Sequence, residues 1–218
     1  TSPNPAVGAI VVSNGEILGE GWTQPPGGSH AERIALEIAG TKAKGGILYT
    51  TLEPCCIQGR TPPCTESIIR SGISQVQIST IDPNPVVNGR GILELRAAGI
   101  QVDIGQNESQ YKEMLAPYFK WVATNLPFVT AKYAMSLDGK IATDRGESRW
   151  ITGTISRKFA HKLRKESDAI IIGIGTATQD NPRLTARDAE GKPRIHQPLR
   201  VIIDSTGNLS PQSLLFQE

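Results

Sequence analysis

The 218-residue sequence is poor in cysteine: three in all, two of them neighbours at Cys55 and Cys56. That excludes the spaced, even-numbered framework of a disulfide-stapled secreted domain, and it favours metal-bound thiolates in a reducing cytoplasm. Charge of one sign is also lacking. The 23 Lys and Arg against 21 Asp and Glu leave a formal net charge of +2, too little to mark nucleic acid or an anionic membrane as a partner. No apolar run reaches the ~20 residues of a membrane-spanning helix, and the first residues show no basic-then-apolar leader. No early G-x-G-x-x-G announces a dinucleotide. These absences point to a soluble intracellular protein.

What is present is short, punctuated and alternating. Residues 6–13 (AVGAIVVS) read as a strand, Asn14-Gly15 as a hairpin turn and 16–22 (EILGEGW) as the partner strand. After a Pro- and Gly-rich loop, Ser29 can cap a helix starting near His30, with Ile34, Leu36, Ile38 and Ala39 as its apolar face. Strands at 46–52, 75–81 and 100–104 alternate with helices at 64–71 and 91–98, which predicts an α/β layered domain. Residues 107–122 have helical spacing interrupted by Pro117, and 123–127 read as a linker. Beyond it come strands at 127–135 and 168–172, a helix over 156–165 and a buried strand at 199–204.

One constellation carries chemistry. His30 and Glu32 stand at the start of one helix, Pro54-Cys55 follows a strand, and Pro62-Pro63-Cys64 opens another helix. One imidazole and two thiolates fill three corners of a tetrahedral zinc site and leave the fourth for water, whereas a structural zinc site closes with a fourth protein ligand. Zinc lowers the pKa of such a water. Glu32, two residues from the histidine, is placed to move protons, an arrangement found in zinc nucleobase deaminases. A helix N-terminus at Cys64 predicts a stabilised thiolate there.

Around this set, Thr51-Leu52-Glu53-Pro54-Cys55, Gly59-Arg60-Thr61-Pro62-Pro63-Cys64 and Asp82-Pro83-Asn84-Pro85 closely resemble the bifunctional deaminase-reductase of riboflavin biosynthesis, as do Ser2-Pro3-Asn4-Pro5 and Val7-Gly8. The resemblance implies a cytidine-deaminase-like three-layer domain over residues 1–122. It also implies a substrate that is a diaminopyrimidinone bearing a phosphoribosylamino group, with Asn4 on the base and Arg60 on the phosphate. Two positions depart from the family: Ile57 and Thr23 stand where it commonly has histidine.

The resemblance continues through Ser136-Leu137-Asp138-Gly139-Lys140 and Ser148-Arg149-Trp150-Ile151-Thr152. It implies that residues 127–218 are the amino-terminal part of a dihydrofolate-reductase-like α/β domain. By matching position, Ala134, Trp150, Thr176, Asp180 and Ser205 would contact NADPH. Lys132, Ser148, Arg164, Leu184 and Arg187 would contact the phosphoribosyl substrate, whose ribose is reduced to a ribityl chain. His161 and His196 read as solvent-facing. The family extends before Thr1 and beyond Glu218, so the chain reads as an internal piece of a longer protein. The partners expected are a small-molecule substrate, no nucleic acid and no membrane; a homo-oligomer is compatible with the sequence. The competing readings are a deaminase for another nucleobase and a degenerate, zinc-stabilised binding protein.

Overall fold

The computed structural model describes residues 2–59, 61–148 and 151–217. Its chain divides into two compact units, 1–130 and 131–218.

In the first unit, β1 (Gly8–Ser13) and β2 (Glu16–Trp22) form an antiparallel hairpin. Its turn needs positive φ at both central positions, and Asn14 (51°) and Gly15 (79°) supply it. Three further strands, β3 (Ile47–Leu52), β4 (Gln75–Thr80) and β5 (Gln101–Ile104), complete a sheet of order β2-β1-β3-β4-β5. β1 meets β3 antiparallel, while β3, β4 and β5 run parallel. The connections that parallel pairing requires carry α2 (Cys64–Ser71) and α3 (Arg90–Ala97).

The strands alternate as a sheet with one core face must. Leu48, Thr50 and Leu52 on β3, and Val76, Ile78 and Thr80 on β4, are buried. Between β2 and β3 runs α1 (Ala31–Ala39), which lies directly on the hairpin. A Cβ added at Gly21 would stand 2.0 Å from the Ala31 carbonyl oxygen, and one at Gly19 would stand 2.2 Å from that of Ala35. Glycine on the strand and alanine at 31, 35 and 39 on the helix therefore allow backbone-on-backbone packing. On the opposite face, α4 (Glu108–Met114) brings Asn107 and Tyr111 to a groove of about 440 Å³ shared with Ile10, Trp22, Tyr49 and Gln77. α5 (Ala116–Thr124) follows, with Pro117 in its first turn.

Two expectations for α1 are corrected. His30, extended at φ −74° and ψ 160°, is the N-cap residue in place of Ser29, and no side chain caps the helix. The buried face runs through Ala31, Glu32, Ala35, Leu36 and Ala39, leaving Ile38 62% exposed. Contact with the glycines selects the small residues, one turn apart, over the larger isoleucine.

The second unit holds α6 (Thr154–Glu166), β6 (Ala169–Gly173), α7 (Ile174–Asp180) and β7 (Leu199–Ile203). β6 and β7 pair in parallel as a two-stranded sheet. Residues 127–135, expected as a strand, are unpaired, because no described neighbour offers them a backbone edge. β7 was expected to be buried, yet Leu199 is 67% and Ile203 61% exposed. Among the described residues no helix is long and apolar enough to cross a membrane.

Candidate active site

Three element ends meet at one point. α1 begins at His30, β3 ends two residues before Pro54-Cys55, and α2 begins at Cys64. The metal-binding atoms of His30, Cys55 and Cys64 all lie within 4.8 Å of one another. His30 Nδ1 is 3.2 Å from Cys64 Sγ and 3.5 Å from Cys55 Sγ. Those separations suit a tetrahedral ion, since bonds of ~2.3 Å to sulfur and ~2.0 Å to nitrogen set donor atoms about 3.5 Å apart. Two soft sulfurs and one imidazole form a zinc-type donor set, and the residues fit that ion. Cys56, the remaining cysteine, is outside the group, so three metal-binding side chains converge here among the described residues.

Glu32 is 4% exposed and sits beside the ligands without joining them. Its carboxyl lies 3.6 Å from Cys64 Sγ and 3.4 Å from the Thr50 hydroxyl, which also donates to the Leu52 carbonyl at 3.1 Å. Burial pushes the Glu32 pKa up, toward holding a proton.

The two thiols are unequal. The first amide of α2, the Cys64 N–H, donates to Cys55 Sγ at 3.4 Å. Cys55, accepting from the Cys64 thiol and against the cost of its own burial, is lowered to about 4. Cys64 is raised, by acting as that donor and by burial. The helix N-terminus thus stabilises the thiolate of Cys55, because an amide points along its helix axis at the neighbour rather than at its own side chain. The hydrogen bond with Cys55 raises the pKa of His30 despite burial.

A buried carboxylate holds the frame behind the ligands. Glu53, 3% exposed, accepts from the N–H groups of Asp82, Gly89 and Ile92 at 2.9–3.3 Å. It ties the end of β3 to the N-terminus of α3, one residue before Pro54. Asp82 in turn accepts from Tyr118 of α5 at 2.9 Å.

Of the other expected site residues, Asn4 is half-buried, and no hydrogen bond joins its side chain to the metal group among the described residues. Thr23 braces the segment that carries Asn4, since its hydroxyl accepts from the Val7 N–H and donates to the Pro5 carbonyl, each at 2.9 Å. Ile57 is 39% exposed. Arg60, Arg149 and Trp150 lie outside the described residues. Sequence reasoning missed Thr61, whose hydroxyl is 3.3 Å from His30 Nε2, and Thr50. Thr61 falls within the Gly59-to-Cys64 motif, but nothing about a lone threonine separates it from its neighbours there.

In the second unit two small groups form. Arg164 Nη1 donates to the Thr185 carbonyl at 3.2 Å and Arg187 Nε donates to the Thr185 hydroxyl at 3.1 Å, next to buried Leu184. His161 joins them, its Nδ1 3.2 Å from the same carbonyl, so it is half-buried rather than solvent-facing. Burial and the Arg187 charge both lower the Arg164 pKa. Separately, Ser148 donates to Asp180 at 3.2 Å. Thr176 and Ser205 are exposed and follow the carboxyl ends of β6 and β7. Lys132 and Ala134 lie in the unpaired stretch, and His196 is exposed.

Comparison with known proteins follows the same division. Residues 1–80 match the cytidine and deoxycytidylate deaminase zinc-binding region, and residues 127–218 match the RibD C-terminal domain. Riboflavin biosynthesis protein RibD of Aquifex aeolicus is 50% identical over 204 residues, covering 94% of this chain and 56% of the relative. That of Escherichia coli is 41% identical, covering 100% and 62%. A Thermotoga maritima crystal structure, described as a diaminohydroxyphosphoribosylaminopyrimidine deaminase and 5-amino-6-(5-phosphoribosylamino)uracil reductase, superposes with a TM-score of 0.90. It is 46% identical and covers 99% of this chain and 61% of that one. Acinetobacter baumannii RibD gives 0.91 at 39% identity, covering 100% and 62%. The chain spans little more than half the length of these relatives, and over nearly its whole length it is similar to RibD riboflavin biosynthesis proteins, with a match to the cytidine deaminase zinc-binding region followed by one to the RibD C-terminal domain.

Proposed function

We propose that the first unit catalyses hydrolytic deamination of a phosphoribosylamino-diaminopyrimidinone in riboflavin biosynthesis. The convergence of three, and not four, metal-binding side chains beside a buried carboxyl carries this reading. His30, Cys55 and Cys64 would hold a zinc ion, which when bound supplies water acidic enough to attack at neutral pH. The water oxygen bonds to the ring carbon and the carbon–nitrogen bond to the amine breaks, leaving a carbonyl and ammonia. Glu32 carries the two protons of the attacking water in turn, the first to the ring nitrogen and the second, from the hydroxyl so formed, to the departing amine, a role its raised pKa suits. Asn4 and Arg60 are assigned to the base and the phosphate.

The second unit is assigned to NADPH-dependent reduction of the ribose. Thr176 and Ser205 follow the carboxyl ends of two parallel strands, where open α/β sheets bind ligands; with Asp180, Ala134 and Trp150 they would hold the cofactor, which supplies the hydride. Arg164 and Arg187, two cations about one threonine, suit an anionic group; Lys132, Ser148 and Leu184 complete that assignment. The domains are taken as 1–122 and 127–218.

The decisive experiment measures ammonia release from the pyrimidine substrate before and after zinc is stripped by a chelator. Loss of release on stripping, with recovery on adding zinc, is expected. Release that is indifferent to metal would overturn the zinc-hydrolase reading.

A further inference from the structure

An imidazole that binds a metal through one nitrogen must carry its proton on the other, and the partner of that N–H fixes both the tautomer and the plane of the ring. In His30, Nδ1 faces both sulfurs, at 3.2 and 3.5 Å. Nε2 faces away, toward the Thr61 hydroxyl at 3.3 Å, and no other hydrogen-bond partner of Nε2 is found among the described residues. Thr61 is itself held: its carbonyl accepts the Gly59 N–H at 3.2 Å, and Pro62 and Pro63 follow it directly. Proline locks φ, and Pro63 is the N-cap residue of α2, whose first residue is Cys64. One four-residue stretch therefore delivers a metal-binding sulfur and a brace for the metal-binding nitrogen.

We propose that Thr61 is a positioning residue for the metal centre: its hydroxyl oxygen accepts the Nε2–H of His30 and so presents the Nδ1 lone pair to the ion. The inference rests on the zinc reading above and adds to it. Without this acceptor the ring is free to turn about its Cβ–Cγ bond or to place the proton on Nδ1, and either change removes a ligand.

The test compares Thr61→Val, which removes the acceptor at nearly constant volume, with Thr61→Ser, which keeps it. Zinc affinity, read against a series of competing chelators, is expected to fall about 10- to 100-fold in Thr61→Val and to stay within twofold of wild type in Thr61→Ser. Ring-labelled ¹⁵N-histidine spectra should show a protected Nε2–H for His30 in wild type and Thr61→Ser, lost in Thr61→Val. Thermal unfolding of the three metal-free proteins should coincide, which separates loss of the brace from loss of the fold. Wild-type zinc affinity in Thr61→Val, or a Thr61→Ser protein as weak as Thr61→Val, overturns the role of Thr61 alone. A wild-type protein that takes up no stoichiometric zinc overturns the zinc reading, and this inference with it.

Discussion

Among the described residues of the first unit, sixteen apolar side chains close into one buried cluster between the sheet and its helices; in the second unit only Ala177, Leu184 and Leu215 are buried in the corresponding cluster. The difference lies in how each sheet is covered. β3 and β4 have neighbours on both edges and helices over their core face, so the ends of these elements are fixed in space. His30, Cys55 and Cys64 sit on those fixed ends and converge. β6 and β7 form a parallel pair with one neighbour each, and parallel sheets normally have both faces covered. Ile170, Ile172 and Ile202 find only part of a core, while Ile171, Leu199 and Ile203 remain exposed. A site needs a rigid support to hold its groups at working distance, and among the described residues the first unit supplies one beneath His30, Cys55 and Cys64.

The largest effect that sharpens this contrast belongs to Glu32. Glu32→Gln should cut ammonia release roughly 10²- to 10⁴-fold, the usual worth of a general acid–base, while zinc content stays stoichiometric. Turnover in Glu32→Gln close to wild type would remove Glu32 from the reaction.

Next come paired glycine substitutions. Gly21→Ala drives a methyl into the Ala31 carbonyl and should cost about 1–3 kcal/mol in urea unfolding, with weakened zinc binding because α1 carries His30. Gly175→Ala meets nothing within 4 Å and lies inside α7. It should stabilise by up to ~1 kcal/mol, as glycine in a helix costs about that much relative to alanine. Equal effects at the two sites would erase the difference in packing.

The smallest effect concerns Asp82. Burial raises its pKa, so the folded protein holds a proton that the unfolded chain has already released above its ~3.9 reference value. Stability contributed by this group is therefore present at low pH and falls as pH rises from that value through the raised folded one. Subtracting the stability-versus-pH curve of Asp82→Asn from that of wild type should show this decline. A flat difference would mean that Asp82 ionises alike in both states.

Legibility from sequence followed the same divide. The hairpin at Asn14-Gly15, β1 and the α2 start after Pro62-Pro63 were readable because local chemistry decides them: positive φ, a run of β-branched residues and a fixed proline φ. His30, Cys55 and Cys64, which the fold brings together, were legible as a group because few residue types offer metal-binding atoms. Ser29 failed as a cap because the chain needs His30 extended at that point. Ile38 failed as a core residue because glycines far back in the chain select alanines on α1. Residues 127–135 have strand composition, but a strand forms only where another edge accepts its hydrogen bonds.

The sequence by itself determined the donor set, the carboxyl beside it and the family resemblance, since these depend on which residues are present and in what order. Only the tertiary structure decided that Nδ1 of His30 faces the sulfurs, that the amide of Cys64 serves Cys55, that Glu53 fastens β3 to α3, and that Thr61 reaches Nε2. Each of these is a contact between residues 9 to 36 positions apart. Distance along the chain says nothing of direction in space, which the packing of helices on a sheet alone sets.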